Sequence, residues 1–339
     1  MLAPGKKSST TLIVAGILTL VTSSQGIFTT ASKVDGHYEY NFGTIVLLAE
    51  LFKLCFSLYN LRRELILKPE STQMTKDWRT VSLFLVPSAI YLAQNNVQFL
   101  FLKYVDPSSY QVLGNLKIAS TGILFRLFLK RRLSTLKWVA LVLLLIGAMT
   151  SQLDTCGHKV LSAPIQGYLF GLLSASLSGF AAVYTEYIMK KNNDSLYWQN
   201  AQLYFFGVCF NLINLTYQDV RVGFNNGFWL MTPFHGYNMW TYLVVCTLSS
   251  SGLLVSWIMK YADSIVKVYA TSMAMLVTMV VSLLLFGQTP TLQLLLGILT
   301  ATASLQMYYM SHDDLFMHSK DSNLMLTGVL VDSAKDSKS

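Results

Sequence analysis

The sequence predicts an all-α, polytopic membrane protein of ten transmembrane helices, arranged as two inverted five-helix repeats. Three observations carry that reading. Of 339 residues 53% are hydrophobic and only 12% charged, against about 25% charged in an average soluble domain. Apolar segments near the roughly 20 residues needed to cross hydrocarbon recur from end to end. Lys and Arg are confined almost wholly to alternate loops. With a cytoplasmic N-terminus, eighteen of the 25 fall in cytoplasmic loops and tails. Lys53, Lys117 and Arg126 lie within helices, and Lys33, Lys103, Lys159 and Arg221 lie on the opposite side. That bias is a positive-inside signal that puts both termini in the cytoplasm. It also accounts for the net charge of +8 without a nucleic-acid partner.

Taken in order, the segments fall near 10–28, 42–61, 80–102, 109–129, 136–152, 166–188, 199–217, 239–259, 267–286 and 292–310. The first is long for a signal peptide, and its removal would leave an odd nine. The second holds Glu50 and Lys53, spaced i, i+3 and able to neutralise one another on one face. The third carries Gln94, Asn95 and Asn96 in mid-helix, with Tyr91, Asn95 and Gln98 on one helical face. Interhelical hydrogen bonding would satisfy one such amide. Four of them point to a hydrated cavity.

The fourth places Tyr110, Gly114 and Lys117 at i, i+4, i+7. A mid-membrane lysine costs roughly 2.5–3.5 kcal/mol on insertion scales and marks a ligand path or a buried ion pair. Glu50 and Glu186 are the two carboxylates that could pair with it. The fifth, "LKWVALVLLLIGAM", has no polar face and excludes a soluble helical bundle. In the sixth, Glu186 and Lys190 are spaced i, i+4 and read as a snorkelling pair near a cytoplasmic helix end. The seventh adds Gln199, Asn200 and Tyr204, the eighth Ser256, and the ninth opens on Lys267.

"LKYVDPSSYQV" (102–112) recurs as "MKYADSIVKVY" (259–269), each copy before a helix, a turn and a last helix entered through "LSTLKW" or "TPTLQL". The repeats then span 1–157 and 158–311, with a polar cytoplasmic tail at 312–339. Five is odd, so the second half is inverted. Inverted repeats bind substrate near the midplane, where the halves meet. Aligned on K-Y-x-D, Lys267 matches Tyr110, which turns both Lys117 and Lys267 toward one cavity.

Lysines, amides and tyrosines with few carboxylates suit an anion with an aromatic body. Lysine takes phosphate as a point charge, tyrosine stacks on a base, and amides read its edge. The four cysteines and five histidines lack metal spacing, and no nucleotide-hydrolysis or dinucleotide motif is present, so neither metal nor other cofactor is expected. A membrane-embedded glycosyl transferase would need paired carboxylates, and a general metabolite exporter would not need two cavity lysines.

The segments "PSAIYLAQNN", "YQVLGNLKI", "GFAAVYTEYIMK", "SLYWQNAQLY", "MKYADSIVKVYATS" and "LLFGQTPT" resemble the nucleotide-sugar transporters of the drug/metabolite transporter superfamily. The likeness covers about 40–310 and is nearest the CMP-sialic acid transporters, plant relatives included. It implies exchange of cytosolic CMP-sialic acid for lumenal CMP in the Golgi membrane, by alternating access. A UDP-galactose or UDP-N-acetylhexosamine/UMP exchanger is the alternative. Carried onto this chain, the resemblance gives Lys117 and Lys267 the phosphate. Tyr91, Asn95, Asn96, Tyr110, Asn200, Tyr204 and Ser256 line the nucleotide pocket, and Lys53 lies toward the sugar. Gly114–Asn115 and Phe206 depart from the family pattern, and both are expected in the cavity. Oligomeric state is left open, with a homodimer among the options.

Overall fold

The computed structural model describes residues 4–34, 37–70, 72–105, 107–152, 164–223, 228–286 and 291–309. The tail at 312–339 and Cys156 lie outside the described residues, as do the side chains of Asn95, Asn96 and Gln98. The described chain is nearly all helix. In order come α1 (Pro4–Ala31), α2 (Phe42–Leu67), α3 (Trp78–Val81), a 3-10 turn (Ser82–Phe84), α4 (Leu85–Tyr104), α5 (Pro107–Gly114), α6 (Leu116–Phe128) and α7 (Thr135–Thr150). Then follow α8 (Ile165–Lys191), α9 (Leu196–Val222), α10 (Met239–Tyr261), α11 (Ser264–Phe286) and α12 (Leu292–Tyr309). Among the described residues, five helices are by themselves long and apolar enough to cross a membrane. The protein is a multi-pass membrane protein.

Each expected segment is helical, and two are interrupted for local reasons. The third opens as a short helix and a 3-10 turn because Pro87 cannot donate to the carbonyl four residues back and its ring crowds it. The fourth divides at Asn115, next to Gly114, a residue of poor helix propensity. The Asn115 amide N–H bonds the Val112 carbonyl at 3.2 Å, the i→i−3 pattern of a tightened turn. The Asn115 side chain is buried and donates to Gln152 Oε1 at 3.0 Å, on the far end of α7. Ends elsewhere are capped by side chains, as Asn41 caps α2, Ser195 caps α9, and Asn238 with Thr241 forms a capping box on α10.

The helices pair in a regular pattern: α7 on α12, α2 on α9, α1 on α10 and α11, and α8 on α4 and α6. Weaker pairs join α2 to α10 and α4 to α9. At the α7–α12 crossing Gly147 and Ser151 of one helix meet Gly297 of the other, and small residues at four-residue spacing let the backbones touch. Ile118, Leu144, Val183 and Tyr269 pack where α6, α7, α8 and α11 meet. Phe84, Met189, Tyr204 and Met259 fill the space among α8, α9 and α10. The outward faces carry exposed Ile13, Leu20, Leu127, Ile213 and Leu299, the apolar coat that hydrocarbon requires.

Candidate functional site

Between α2, α4, α8, α9, α10 and α11 lies a cavity of about 340 Å³. Its polar wall includes Glu50, Lys53, Tyr91, Tyr204, Ser256 and Lys267, drawn from five of these helices, with Ser88, Thr185, Asn211 and Ser251 completing it. Sequence reasoning named five of these as binding residues and Glu50 as the partner of Lys53. Polar side chains on five membrane helices all turn inward because hydrocarbon offers them nothing.

The Lys53–Glu50 ion pair organises the cavity. Lys53 Nζ sits 2.7 Å from Glu50 Oε1 and 4.4 Å from the centroid of the Tyr204 ring, which places the ammonium over an aromatic face. Tyr204 Oη lies 2.6 Å from Ser256 Oγ and donates to the Gly252 carbonyl at 3.2 Å. Two glycines make room for the pair. A Cβ on Gly207 would stand 2.8 Å from Glu50 Oε2, and one on Gly252 would stand 2.7 Å from Lys53 Cδ. Neither glycine was legible as part of the site, since nothing in α9 or α10 marks which glycine a distant side chain must fit.

Lys117 lies beside this cavity rather than in its wall. It is the second residue of α6, which packs on α11, the helix that bears Lys267. Among the described residues the ion pairs are Lys53–Glu50, Arg131–Glu186 and Lys190–Glu186. Both carboxylates that could have neutralised Lys117 are therefore engaged elsewhere.

Other expected residues are distributed differently. Asn200 is buried one turn before Tyr204 on α9, and its Oδ1 has no hydrogen-bond partner. Tyr110 stands on α5 with its ring 4.9 Å from that of Phe101, away from the cavity wall. The helical break at Asn115 interrupts the stripe that would have aligned Tyr110 with Lys117. The two departures expected in the cavity are not in its described wall. Asn115 is turned to α7, and Phe206 packs into the hydrophobic cluster around Tyr204 and Met259.

Glu186 corrects another expectation. It does bond Lys190 at 2.6 Å, yet it does not snorkel: it is fully buried. Its second oxygen accepts the backbone N–H of Ser264, the first residue of α11, at 2.7 Å, and Arg131 Nη1 stands 3.4 Å from the first. Buried carboxylates are retained only where several donors satisfy them. Nearby, Lys260 bonds Gln199 Oε1 at 2.8 Å and the Asp194 carbonyl.

At the other end of the bundle, the segment before α2 packs on the segment before α10. Tyr40 bonds Ser32 at 2.6 Å, Tyr237 bonds Thr44 at 2.9 Å, and Asn238 donates to the Ser32 carbonyl at 3.0 Å. Tyr38, Tyr40, Phe42, Phe234 and Tyr237 stack in edge-on and tilted contacts. Burial pushes the Tyr40 and Tyr237 phenols up from their usual value, so both stay neutral. The connection between α9 and α10 supplies two of these five rings, Phe234 and Tyr237; residues 224–227 of it lie outside the described residues.

Comparison with known proteins gives the arrangement its context. CMP-sialic acid transporter 1 of Oryza sativa subsp. japonica is 59% identical over 302 residues, covering 88% of this chain and 94% of that protein. CMP-sialic acid transporter 1 of Arabidopsis thaliana is 57% identical, over 87% and 88%, and CMP-sialic acid transporter 4 of the same plant is 40% identical, over 87% and 84%. A solved crystal structure superposes with a TM-score of 0.67 at 11% identity, covering 89% of this chain and 98% of that one, which shows a shared fold alone. The family described as nucleotide-sugar transporter matches residues 6–309. A cavity walled by lysines and tyrosines inside a helical membrane bundle, with relatives of this identity along nearly its full length, makes the chain a member of the nucleotide-sugar transporter family.

Proposed function

We propose that this chain exchanges cytosolic CMP-sialic acid for lumenal CMP across the Golgi membrane by alternating access. Lys117 and Lys267 take the phosphate, Tyr91, Tyr204, Ser256 and Asn200 hold the nucleoside, and Lys53 faces the sugar. Asn95 and Asn96 complete the binding set. The carrying observation is that Lys267 lines the cavity, that Lys117 stands on α6 packed against the helix bearing Lys267, and that among the described residues neither lysine is ion-paired with a carboxylate. Phosphate oxygens supply the missing charge. The names of the similar plant proteins favour CMP-sialic acid as the cargo.

The same lysines give a physical reason for exchange rather than one-way flow. An empty carrier must turn its cavity through the membrane with two uncompensated cations, which is costly in hydrocarbon. A bound nucleotide cancels them, and CMP approaches −2 at neutral pH. Reorientation is therefore faster when either nucleotide is aboard.

The architecture proposed is ten spans in two inverted repeats, with α5 and α6 forming one span and both termini in the cytoplasm. Its support is the packing pattern. Exchanging α1 for α8, α2 for α9, α4 for α10 and α6 for α11 turns α1–α10 into α4–α8, α1–α11 into α6–α8 and α2–α10 into α4–α9, while α2–α9 and α7–α12 map onto themselves. The excess of Lys and Arg at the end formed by α2, α6, α8 and α10 favours that end as cytoplasmic.

The test is reconstitution in liposomes preloaded with CMP, UMP or buffer, followed by uptake of labelled CMP-sialic acid, UDP-galactose and UDP-N-acetylglucosamine. CMP-sialic acid uptake accelerated by internal CMP is expected. Uptake indifferent to the internal nucleotide overturns exchange, and a preference for UDP-sugars overturns the cargo.

A further inference from the structure

We infer that Glu186 is the latch of the cytoplasmic gate: a positioning residue that ties together the ends of the two helices bearing Lys117 and Lys267, with its Arg131 arm the contact that releases. The inference rests on the transport reading above and deepens it.

Four features of Glu186 converge. It is fully buried on α8, and three donors from three parts of the chain meet on its two oxygens. One donor is the backbone N–H of Ser264, which opens α11, and Lys267 follows three residues later, one turn along. A carboxylate at a helix N-terminus meets the unsatisfied amides and the positive end of the helix dipole. Another donor, Lys190, reaches past the carboxylate to the carbonyl of Ala262, so the turn between α10 and α11 is gripped at two points. The third, Arg131, lies in the turn after α6, the helix whose first turn carries Lys117. One carboxylate thus fixes where α11 begins and where α6 ends, both against α8.

The three arms are unequal. Ser264 and Lys190 bond at 2.7 and 2.6 Å, whereas Arg131 stands at 3.4 Å with half of its side chain exposed. A long contact whose donor is half in water holds less firmly than two short ones that are buried. The arginine arm is accordingly the one that lets go when α6 and α11 part to admit a nucleotide. The backbone and lysine arms stay, and they carry α11 as a unit with α8. Glu186 is not itself in the described cavity wall, so its effect on transport runs through the placement of the helices that are.

The experiment uses the full chain with its four cysteines changed to Ser and Ser264→Cys added. Ser264 Oγ is buried and unpartnered, so a thiol there loses no bond. In sealed vesicles with the cytoplasmic face outward, an impermeant maleimide should label this cysteine slowly. Labelling should rise at least fivefold with Arg131→Ala or Glu186→Gln, and return to the slow rate with Arg131→Lys. CMP exchange by Arg131→Ala should show a KM for external CMP at least threefold lower together with a lower maximal rate. A more populated cytoplasm-open state raises apparent affinity and delays the return. Unchanged labelling and an unchanged KM in Arg131→Ala would overturn the latch. So would loss of thermal stabilisation by CMP in Arg131→Ala, which would make the arginine a support of the bundle rather than part of a gate. Labelling is read without transport, so failure of the unsubstituted chain to exchange CMP strikes the transport reading and not the latch.

Discussion

Replacing Lys117 with Met separates binding from stability, and the two should move in opposite directions. The lysine is half-buried and paired with neither Glu50 nor Glu186. Met keeps an unbranched apolar stem of similar reach while removing the charge. A lysine in mid-membrane costs roughly 2.5–3.5 kcal/mol on insertion scales, and this one is only partly buried, so only part of that cost is recovered. The empty variant should therefore be the more stable protein. Binding pays the opposite way: a hydrogen bond to a charged group contributes roughly 1.5–3 kcal/mol, or about 10- to 150-fold in Kd. CMP at one hundred times the wild-type Kd stabilises the folded state by about 2.7 kcal/mol. With Kd raised about a hundredfold, the same concentration gives about 0.4 kcal/mol by that relation. The assay is heat challenge of the purified protein, with and without CMP, followed by the surviving monodisperse fraction, beside calorimetric titration. A variant less stable when empty, or one that binds CMP within threefold of wild type, refutes the placement of Lys117 on the phosphate.

Other perturbations follow from distances already given. Gly252→Ala puts a methyl group 2.7 Å from Lys53 Cδ, against a flexible stem rather than backbone. Folding should survive while uptake falls about tenfold, the equivalent of 1.4 kcal/mol of misplaced ion pair. Gly147→Ala brings its Cβ to 3.0 Å from the Ala301 nitrogen and the Gly297 oxygen, both immovable. That overpacking should cost about 1–3 kcal/mol in heat challenge and leave the KM for CMP unchanged. Tyr204→Phe removes the hydroxyl bonded to Ser256 but keeps the ring beneath Lys53. It should lower affinity less than Tyr204→Leu does in the same titration, since the ring contact contributes up to about 2 kcal/mol when desolvated. Gly236 has φ of 73° with Glu39 Cβ 2.8 Å from where its own would stand. Gly236→Ala should lower the unfolding midpoint, because a left-handed residue costs an alanine about 1–2 kcal/mol.

The fold was legible because hydrocarbon imposes one rule on every segment, and apolar length alone located the helices. Lys53, Tyr91, Tyr204, Ser256 and Lys267 were legible for the complementary reason: a polar side chain in lipid must find protein or water. What the sequence hid was the direction each faces across a helix junction. Tyr110 and Lys117 are seven residues apart and would share a face in an unbroken helix, but the tightened turn at Asn115 intervenes. Glu186 misled for a related reason. The i, i+4 lysine was in plain view, whereas the Ser264 amide that keeps the carboxylate buried is 78 residues away, and Arg131 is 55 residues away in the other direction. Gly207 and Gly252 belong to the same class, since a glycine's purpose is visible only beside the side chain it admits.

The α7–α12 crossing has a mechanical meaning. Two helices whose main chains touch at Gly147 and Gly297 cannot slide by a residue, because the next positions along either helix carry side chains where only hydrogen fits. Shear along that seam is blocked, while rotation about the point of contact is not. The seam is therefore a pivot rather than a sliding surface, and any rearrangement of the bundle turns about it instead of running along it.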